Sequence, residues 1–356
     1  MLKKKNLLSL ILAFCLCYAL AAPAWAADDD IYEEKNVDVN GYTFNILEKV
    51  NNEDFTIIKT YINPTPFSME RNSVDIERAK ALLIALGMDE GAIALWDDET
   101  ILAFANAEKI TSADSYYKTD DEKNIVTQLP KDVAISEAAV LSEQQKEEFF
   151  EKALNQQDGD IELYGSKEFN NGYIKVYHAA AYQGGHDYIF STDSLWLTMP
   201  RDRGYDSISA SSQATNIEYD DARGSWGCRQ TYVDDGNVTE KYISGTNFER
   251  TTGPNLGSWS GAAGIFKLFS DAASSGTSVK YDDFRTHYQY KGGIVDYGSN
   301  KEFTCAGIYS HARAKLNVVP SFGFPYDSLG FGISLNYQWQ PVDYVASFRE
   351  NYIAKN

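Results

Sequence analysis

The chain has 356 residues, with 51 acidic and 32 basic side chains and a formal net charge of −19. This charge argues against nucleic acid as the main partner, because phosphates are neutralised by Lys and Arg, and equally against an anionic membrane surface. Hydrophobic residues make up 44% of the chain and aromatic residues 13%, which excludes a largely disordered protein and is enough for a sizeable core.

The N-terminus has the pattern of a secretory signal peptide. Lys3–Lys5 supply the positive region, Leu7–Ala22 the apolar region, and Ala24 with Ala26 the small residues of a cleavage site. Acidic residues follow at once, and no second long apolar run exists in the sequence. We therefore expect residues 1–26 to be removed and the product to be secreted and extracellular, with no integral membrane segment in the mature chain.

Removal of the signal peptide leaves two cysteines, Cys228 and Cys305. Exported proteins usually meet an oxidising compartment, so the sequence predicts a disulfide bond between them. The alternative is that one of them is a catalytic thiol beside a histidine, which only the fold can decide.

Composition changes near residue 158. Residues 28–158 contain 29 acidic and 12 basic side chains and three glycines, whereas residues 159–356 contain 22 acidic and 17 basic side chains and 22 glycines. Such a change is typical of two structural classes in one chain. We predict an acidic, mainly helical domain over residues 27–158 and a Gly- and Tyr-rich antiparallel β domain over residues 159–356. Whether the acidic half is a pro-segment stays open.

The predicted elements of the first half begin with a hairpin over Val37–Ile46, which contains an Asn-Gly turn signal. A helix is predicted from Ser73 to Leu86, and a second, capped by Asp97 and Asp98, through Ala107. A capping box of Ser142 and Gln145 predicts a third helix, which ends near Gln157.

In the second half, side chains alternate with the period of two that antiparallel sheets require. One predicted strand places three apolar residues and a histidine on the same face: Ile174, Val176, His178 and Ala180. Another strand presents Phe284, Thr286, Tyr288 and Tyr290 on one face. The fold class is thus α+β, with a small acidic helical region followed by a larger antiparallel β-sandwich or jelly-roll-like domain.

Motifs that would identify an enzyme or a cofactor are missing from the sequence. It contains no His-Glu-x-x-His zinc motif, no phosphate-binding loop and no dinucleotide loop. No cofactor is predicted, apart from a weak calcium signal at Asp234, Asp235 and Asn237, which are also ordinary turn-forming residues.

Five residues are candidates for ligand binding. Trp226 and Trp259 each follow Gly-Ser in a small-residue setting, where an aromatic ring is able to stack on a sugar or a partner protein; the alternative is that both anchor loops to the core. Tyr309, His311 and Arg313 alternate on the polar face of a predicted strand and suggest a basic patch for an anionic ligand. The alternative is a strand face that is merely solvated.

The sequence favours a secreted, non-enzymatic binding or adhesion protein whose ligand is a glycan or another cell-surface partner. One alternative is a secreted hydrolase with a carboxylate pair or a Cys–His site. A less favoured alternative is a pore-forming toxin, in which the small alternating residues Ser207–Asn216 would rearrange into a barrel hairpin. No catalytic residue is assigned.

Overall fold

The structure is a computed structural model. It describes residues 32–64, 73–120, 123, 125–155, 171–200, 203–213, 215–246, 248–252, 259–274, 277–294, 302–311, 320–322, 333–335 and 342–351. Contacts group the chain from Glu34 to Asn356 into one compact unit.

An antiparallel sheet of eleven strands, here the large sheet, runs through this unit. Its strands are β1 (Glu33–Val39), β2 (Tyr42–Val50), β3 (Ile57–Ile62), β4 (Lys109–Asp120), β5 (Ile125–Leu129), β6 (Asn171–Gly184), β7 (Asp187–Thr198), β9 (Thr215–Asp234), β10 (Asn237–Gly245), β13 (Ala272–Ser274) and β14 (Thr277–Ile294). Their order is β1-β2-β3-β4-β6-β7-β14-β9-β10, with β5 beside β4 and β13 beside β14.

A second antiparallel sheet, here the small sheet, packs on one face of the large sheet. Its strands are β8 (Tyr205–Gln213), β11 (Glu249–Thr252), β12 (Trp259–Lys267), β15 (Glu302–His311) and β18 (Val342–Asn351), in the order β11-β12-β8-β15-β18. A further pair is formed by β16 (Pro320–Phe322) and β17 (Ile333–Leu335). The predicted antiparallel, sandwich-like arrangement of sheets is confirmed.

The two sheets approach each other closely at Gly307 of β15. A Cβ atom there would lie 2.7 Å from His178 and from Thr192 of the large sheet, so the approach requires glycine. Around it, hydrogen bonds join the sheets: the indole N–H of Trp196 donates to the hydroxyl of Tyr309 at 2.8 Å. The core between the sheets is therefore both aromatic and hydrogen-bonded.

In the part of the chain that the structure describes, four helices accompany the sheets: α1 (Ser73–Ala85), α2 (Glu90–Ile93), α3 (Asp98–Ala105) and α4 (Lys131–Asn155). The first two predicted helices are present as α1 and α3, and the side chain of Asp97 caps α3 by accepting from the backbone N–H of Thr100 at 2.7 Å. The third prediction was wrong at its start. Ser142 lies in the middle of α4, which begins after Pro130, a residue suited to the first turn of a helix.

Residues 27–158 are only partly helical. Besides the helices, the described part of this segment contributes β1 to β5, and the Asn-Gly turn between β1 and β2 has positive φ at Asn40 (51°) and Gly41 (84°), as predicted. β4 pairs along its whole length with β6, which lies beyond residue 158. The change in composition at residue 158 therefore does not coincide with an edge of the sheet.

α1 ends on the face of the large sheet that is opposite to the small sheet. Its last carbonyl groups need partners, and three neighbouring strands supply them. Lys59 of β3 donates to the carbonyl of Ala85 at 3.0 Å, and Ser112 of β4 donates to that of Leu86 at 2.9 Å. Lys175 of β6 donates to the carbonyl of Gly87. Polar side chains of the sheet thus hold the helix end in place.

Within the described residues, no helix has the length and hydropathy to span a membrane.

Candidate binding surface

Both cysteines of the described chain are free thiols, so the predicted disulfide bond is not present. Cys228 lies on β9 of the large sheet and Cys305 on β15 of the small sheet, and neither side chain is accessible to solvent. Burial raises the pKa of Cys228 to about 12 and that of Cys305 well above its ordinary value. Because the thiolate is the nucleophile, neither cysteine is suited to attack a substrate at neutral pH.

Tyr309 and His311 are fully buried between the sheets and do not form an exposed patch. Both bond the carboxylate of Asp206: the hydroxyl of Tyr309 donates to it, and Nδ1 of His311 lies 2.9 Å from its Oδ1. The sequence could not show this, because a polar alternation is the same whether water or a second sheet faces it. Arg313 lies outside the described residues.

Trp226 lies on β9 and packs into the core rather than projecting from a loop. Its ring stacks on Phe284 with centroids 6.1 Å apart and meets Phe269 edge-on at 5.1 Å. Gly245 of β10 leaves the space that the indole occupies. These contacts correspond to the alternative in which Trp226 is an anchor in the core. The backbone of Trp259 begins β12, and its side chain lies outside the described ones.

The two remaining buried histidines also belong to the interior. His178 is a core residue, as the alternation predicts, and Nδ1 lies 2.9 Å from the hydroxyl of Thr192; burial lowers its pKa to about 3. Nδ1 of His287 lies 2.9 Å from Asp193 Oδ1, and the ring of Trp96 covers it at a centroid distance of 4.3 Å. Neither imidazole has the access to water that general acid–base catalysis of an external substrate needs.

The outermost strand β10, in contrast, is open to solvent. Residues 237–242 are all exposed, and Val238 and Tyr242 keep 52% and 48% of their accessible surface. β10 pairs with β9 on one side, and among the described strands none pairs with its other side. Backbone groups that point outward from such an edge are free to pair with another chain.

The turn before β10 determines which residues point outward. Asp235 and Gly236 have φ of 46° and 78°, which is the two-residue turn of a tight hairpin. Asn237 and Asp234, which flank this turn, form a hydrogen-bonded pair, and such pairs alternate along an antiparallel ladder. The backbone N–H and C=O groups that face away from β9 therefore belong to Val238, Glu240, Tyr242 and Ser244. These four side chains also share one face of the sheet.

The charged side chains on this face differ in whether they form ion pairs. Arg229 and Lys280 both bond Asp282, at 2.7 and 3.0 Å, so these cations are already engaged. Glu240 is exposed and has no described cation within ion-pair distance, although Asp282 first and Glu240 among the lesser causes raise the pKa of Arg229. The one cation of β10, Lys241, points to the opposite face, where its ammonium lies 5.1 Å from the centroid of the Tyr232 ring. The exposed stripe is therefore apolar, acidic and aromatic in turn.

The side chain of Tyr242 lies across the face of β9. Its ring passes over Gly227, where a Cβ atom would collide with the phenol. Burial raises the pKa of Tyr242, and Arg285 partly offsets this. The phenol therefore offers a half-exposed aromatic contact.

The residues proposed for calcium form the turn before β10. Asp234 accepts a hydrogen bond from Thr277 at 3.0 Å, and Asp235 occupies the left-handed region of the turn. Over the part of the chain that the structure describes, no group of three His, Cys, Asp or Glu side chains is placed to hold a metal ion.

The fold also locates residues on which the pore-forming and hydrolase alternatives depend. β8, which contains most of the segment proposed for a barrel hairpin, is the central strand of the small sheet, and Ser212 bonds Tyr290 of the large sheet at 2.9 Å. For the hydrolase alternative, which needs a pair of carboxylates, the exposed Glu240 and Glu302 lie on different sheets.

Sequence reasoning missed the β10 surface, although a signal was present. An Asp-Gly turn followed by Val238, Thr239, Tyr242 and Ile243 has the composition of a strand after a tight turn. The sequence cannot show that this strand ends the sheet.

Comparisons with known proteins do not assign the chain to a family. No family model and no curated protein matches the sequence. Among solved structures, the chain is similar to the collagen-binding domain from a Staphylococcus aureus adhesin, with 8% identity and a TM-score of 0.20, over 47% of this chain and 87% of that one. It is also similar to AvmM, which catalyses macrocyclization in alchivemycin A biosynthesis, with 10% identity and a TM-score of 0.15, over 56% and 84% of the two chains. TM-scores this low do not bear on function.

Proposed function

We propose that this protein is an exported, non-enzymatic binding protein that captures a partner outside the cell at the exposed end of its large sheet. The observation that carries this is the exposure of β10, whose Val238 and Tyr242 lie about half open at one end of the large sheet. Exposed aromatic and apolar groups are typical of binding surfaces. The partner is a surface protein or a glycan.

The burial of the reactive side chains, the thiols and most of the imidazoles, favours binding over hydrolysis. The two thiols are buried with raised pKa values, and His178, His287 and His311 keep at most 4% of their accessible surface. A substrate would have to displace the core to reach them. The hydrolase alternative therefore rests on carboxylates alone.

A binding panel tests the proposal. The mature chain, residues 27–356, is titrated against immobilised cell-wall polysaccharides, host glycans and extracellular matrix proteins by biolayer interferometry. We expect saturable binding to at least one member, and a loss of about tenfold or more in affinity when Val238→Ser and Tyr242→Ser are combined, since two central contacts are removed.

The matched control combines Val140→Ser on α4 with Ile62→Ser on β3, two apolar residues that are each 62% exposed and lie away from β10. It should bind as well as the original chain. An equal loss in the control, no loss in the β10 variant, or no saturable binding to any member of the panel would contradict the proposal.

Export is tested separately. Expression of the full chain in a Gram-positive host should release a protein whose N-terminal residue, determined by sequencing, is Ala27. Retention of residues 1–26 in the released product would contradict the secretion part of the proposal.

A further inference from the structure

We infer that the partner binds to β10 as an added strand, and that its matching segment is an extended peptide with a cationic side chain between two apolar ones. This inference rests on the proposed function and specifies the chemistry of the partner. Strand addition gains affinity from main-chain hydrogen bonds and specificity from alternate side chains.

The backbone of β10 supplies the first part of the argument. Val238, Glu240, Tyr242 and Ser244 direct their N–H and C=O groups away from β9, and residues 237–242 are exposed. The sequence of β10 is rich in the β-branched and aromatic residues that favour pairing, and it contains no proline. It thus has few of the features by which edge strands are normally protected.

The opposite edge of the large sheet is protected. β1 contains Glu33, Glu34 and Asp38 in seven residues, a density of negative charge that disfavours a further strand. β10 contains one acidic and one basic side chain and is formally neutral, in a chain whose net charge is −19. Of these two edges, β10 is the one at which a strand is able to add without facing a row of like charges.

The side chains of the exposed stripe indicate what the added strand must contain. In an antiparallel or parallel ladder, side chains of neighbouring strands that share a face lie next to each other. A residue beside Glu240 is favoured when it is Lys or Arg, because Glu240 has no ion-pair partner among the described residues. Residues beside Val238 and Tyr242 are favoured when they are apolar.

A second copy of the chain fits this edge less well. An antiparallel copy of β10 must place outward-facing residues opposite each other. The symmetric register with the longest overlap puts Lys241 opposite Lys241, and the next two, which overlap equally, put Glu240 opposite Glu240 or Tyr242 opposite Tyr242. Like charges directly opposite each other are destabilising, and two chains of charge −19 also repel. Charge complementarity therefore favours a cationic partner.

The probe for the test is the blocked peptide Thr-Val-Thr-Lys-Thr-Val-Thr with a fluorescent label, titrated with the mature chain and followed by anisotropy. We expect saturable binding in the micromolar to millimolar range. Two methylated peptides are the controls. In antiparallel addition the N–H groups of Val, Lys and Val face β10, so methylation of those backbone nitrogens should abolish binding, whereas methylation of two Thr nitrogens should not.

Charge exchange tests the position of the cation. Glu240→Lys should weaken binding of the peptide about fivefold or more and should bind the peptide with Glu in place of Lys as well as the original pair. Glu302→Lys on β15 changes the net charge equally and should have no such effect. Thermal unfolding of both variants checks that they fold.

Each contrary outcome overturns the inference. Equal binding of both methylated peptides, or equal effects of Glu240→Lys and Glu302→Lys, would show attraction by net charge alone. Absence of saturable binding would exclude strand addition of this chemistry. A dimer in sedimentation velocity that Val238→Ser with Tyr242→Ser dissociates would assign the edge to a second copy. If the β10 variants still lose binding to the panel while the peptide fails, the proposed function stands and only strand addition is overturned.

Discussion

Helices cover one region of the large sheet, whereas no described element covers β10 at its end. Where α1, α2 and α3 lie on it, three polar side chains meet the end of α1: Lys59, Ser112 and Lys175 bond the carbonyls of residues 85, 86 and 87. At β10 the sheet ends in residues that are about half exposed, among them the carboxylate of Glu240. The first arrangement uses charge to hold the fold together, and the second leaves charge and apolar surface available to a partner.

This difference shows why polarity alone does not locate a binding site. The covered region contains more ionisable groups than β10, including Asp114 at 2% exposure and Arg285, which bonds Asp89 at 2.5 Å. Burial alone would lower the pKa of Lys175, but Asp114 and Tyr116 more than offset it, so the pKa is raised and the ammonium stays charged. Those charges stabilise each other, and a ligand would gain little from them.

The largest effect should follow from breaking the covered region at Lys175. Lys175→Met leaves the carboxylate of Asp114, 3.0 Å from the ammonium in the original chain, buried without its cation. We expect a loss of about 3–5 kcal/mol in the free energy of unfolding, measured with urea. Lys118→Met is the control, because its pair with Glu137 is 32% and 42% exposed and such pairs contribute about 1 kcal/mol or less. Equal losses would contradict the distinction.

The same substitution, Val to Ser, is next made in both regions to compare its effect on stability. Val176→Ser removes a fully buried side chain between the sheets and should cost roughly 3 kcal/mol, since apolar contacts are lost and a hydroxyl is buried. Val238→Ser, at a residue 52% exposed, should change stability by about 0.5 kcal/mol or less. A large cost at Val238 would mean that β10 is structural rather than available.

Acid should weaken the interior through His178. Its pKa is about 3 in the folded chain against 6.5 for an ordinary histidine, so below pH 6.5 the unfolded chain takes up a proton that the folded chain does not. Stability therefore falls as pH drops from 6.5 towards 3, by about 1.4 kcal/mol per unit, or roughly 2–3 kcal/mol at about pH 4.5.

The measurement for His178 is urea unfolding over that pH range, with the slope of His178→Asn compared with that of the original chain. The variant should have the smaller slope. Identical slopes for the two proteins would show that His178 is not buried in its neutral form.

The smallest effect, none at all, is expected for a reducing agent. With both thiols free and buried, dithiothreitol should not shift the midpoint of thermal unfolding. A thiol reagent should label two cysteines in the mature chain only after denaturation. A drop in the midpoint with dithiothreitol would restore the disulfide that the sequence predicts.

Local patterns predicted much of the fold. The alternation at Ile174, Val176 and His178 is correct, as is the turn at Asn40 and Gly41, because both depend on neighbours in the sequence. β4 was missed since its sequence is polar, and its buried Asp114 is stabilised by Lys175, far along the chain. Strand propensity is judged from the local sequence and therefore does not detect such a long-range pair.

The candidate site was predicted less well than the fold. Tyr309 and His311 alternate as a solvated strand would, but their partner Asp206 lies more than a hundred residues earlier, so only the packed sheets show that they are buried. Trp226 was predicted to bind a ligand, with a core anchor as the alternative, and its ring packs against Phe269 and Phe284. The exposure of β10 follows from its place at the end of the sheet, and strand order is not written in local sequence.

The pairing of β7 with β14 has a consequence for how the chain is completed. Ser194 and Thr286 are bonded to each other across 92 residues of sequence, so the middle of the large sheet closes only after most of the chain has been made. Closure over such a distance is slow compared with the formation of the β6–β7 hairpin. A nascent or truncated chain that ends before residue 277 would therefore present β7, a long strand edge, to other chains. Completion of β14 converts this aggregation-prone intermediate into a closed interior.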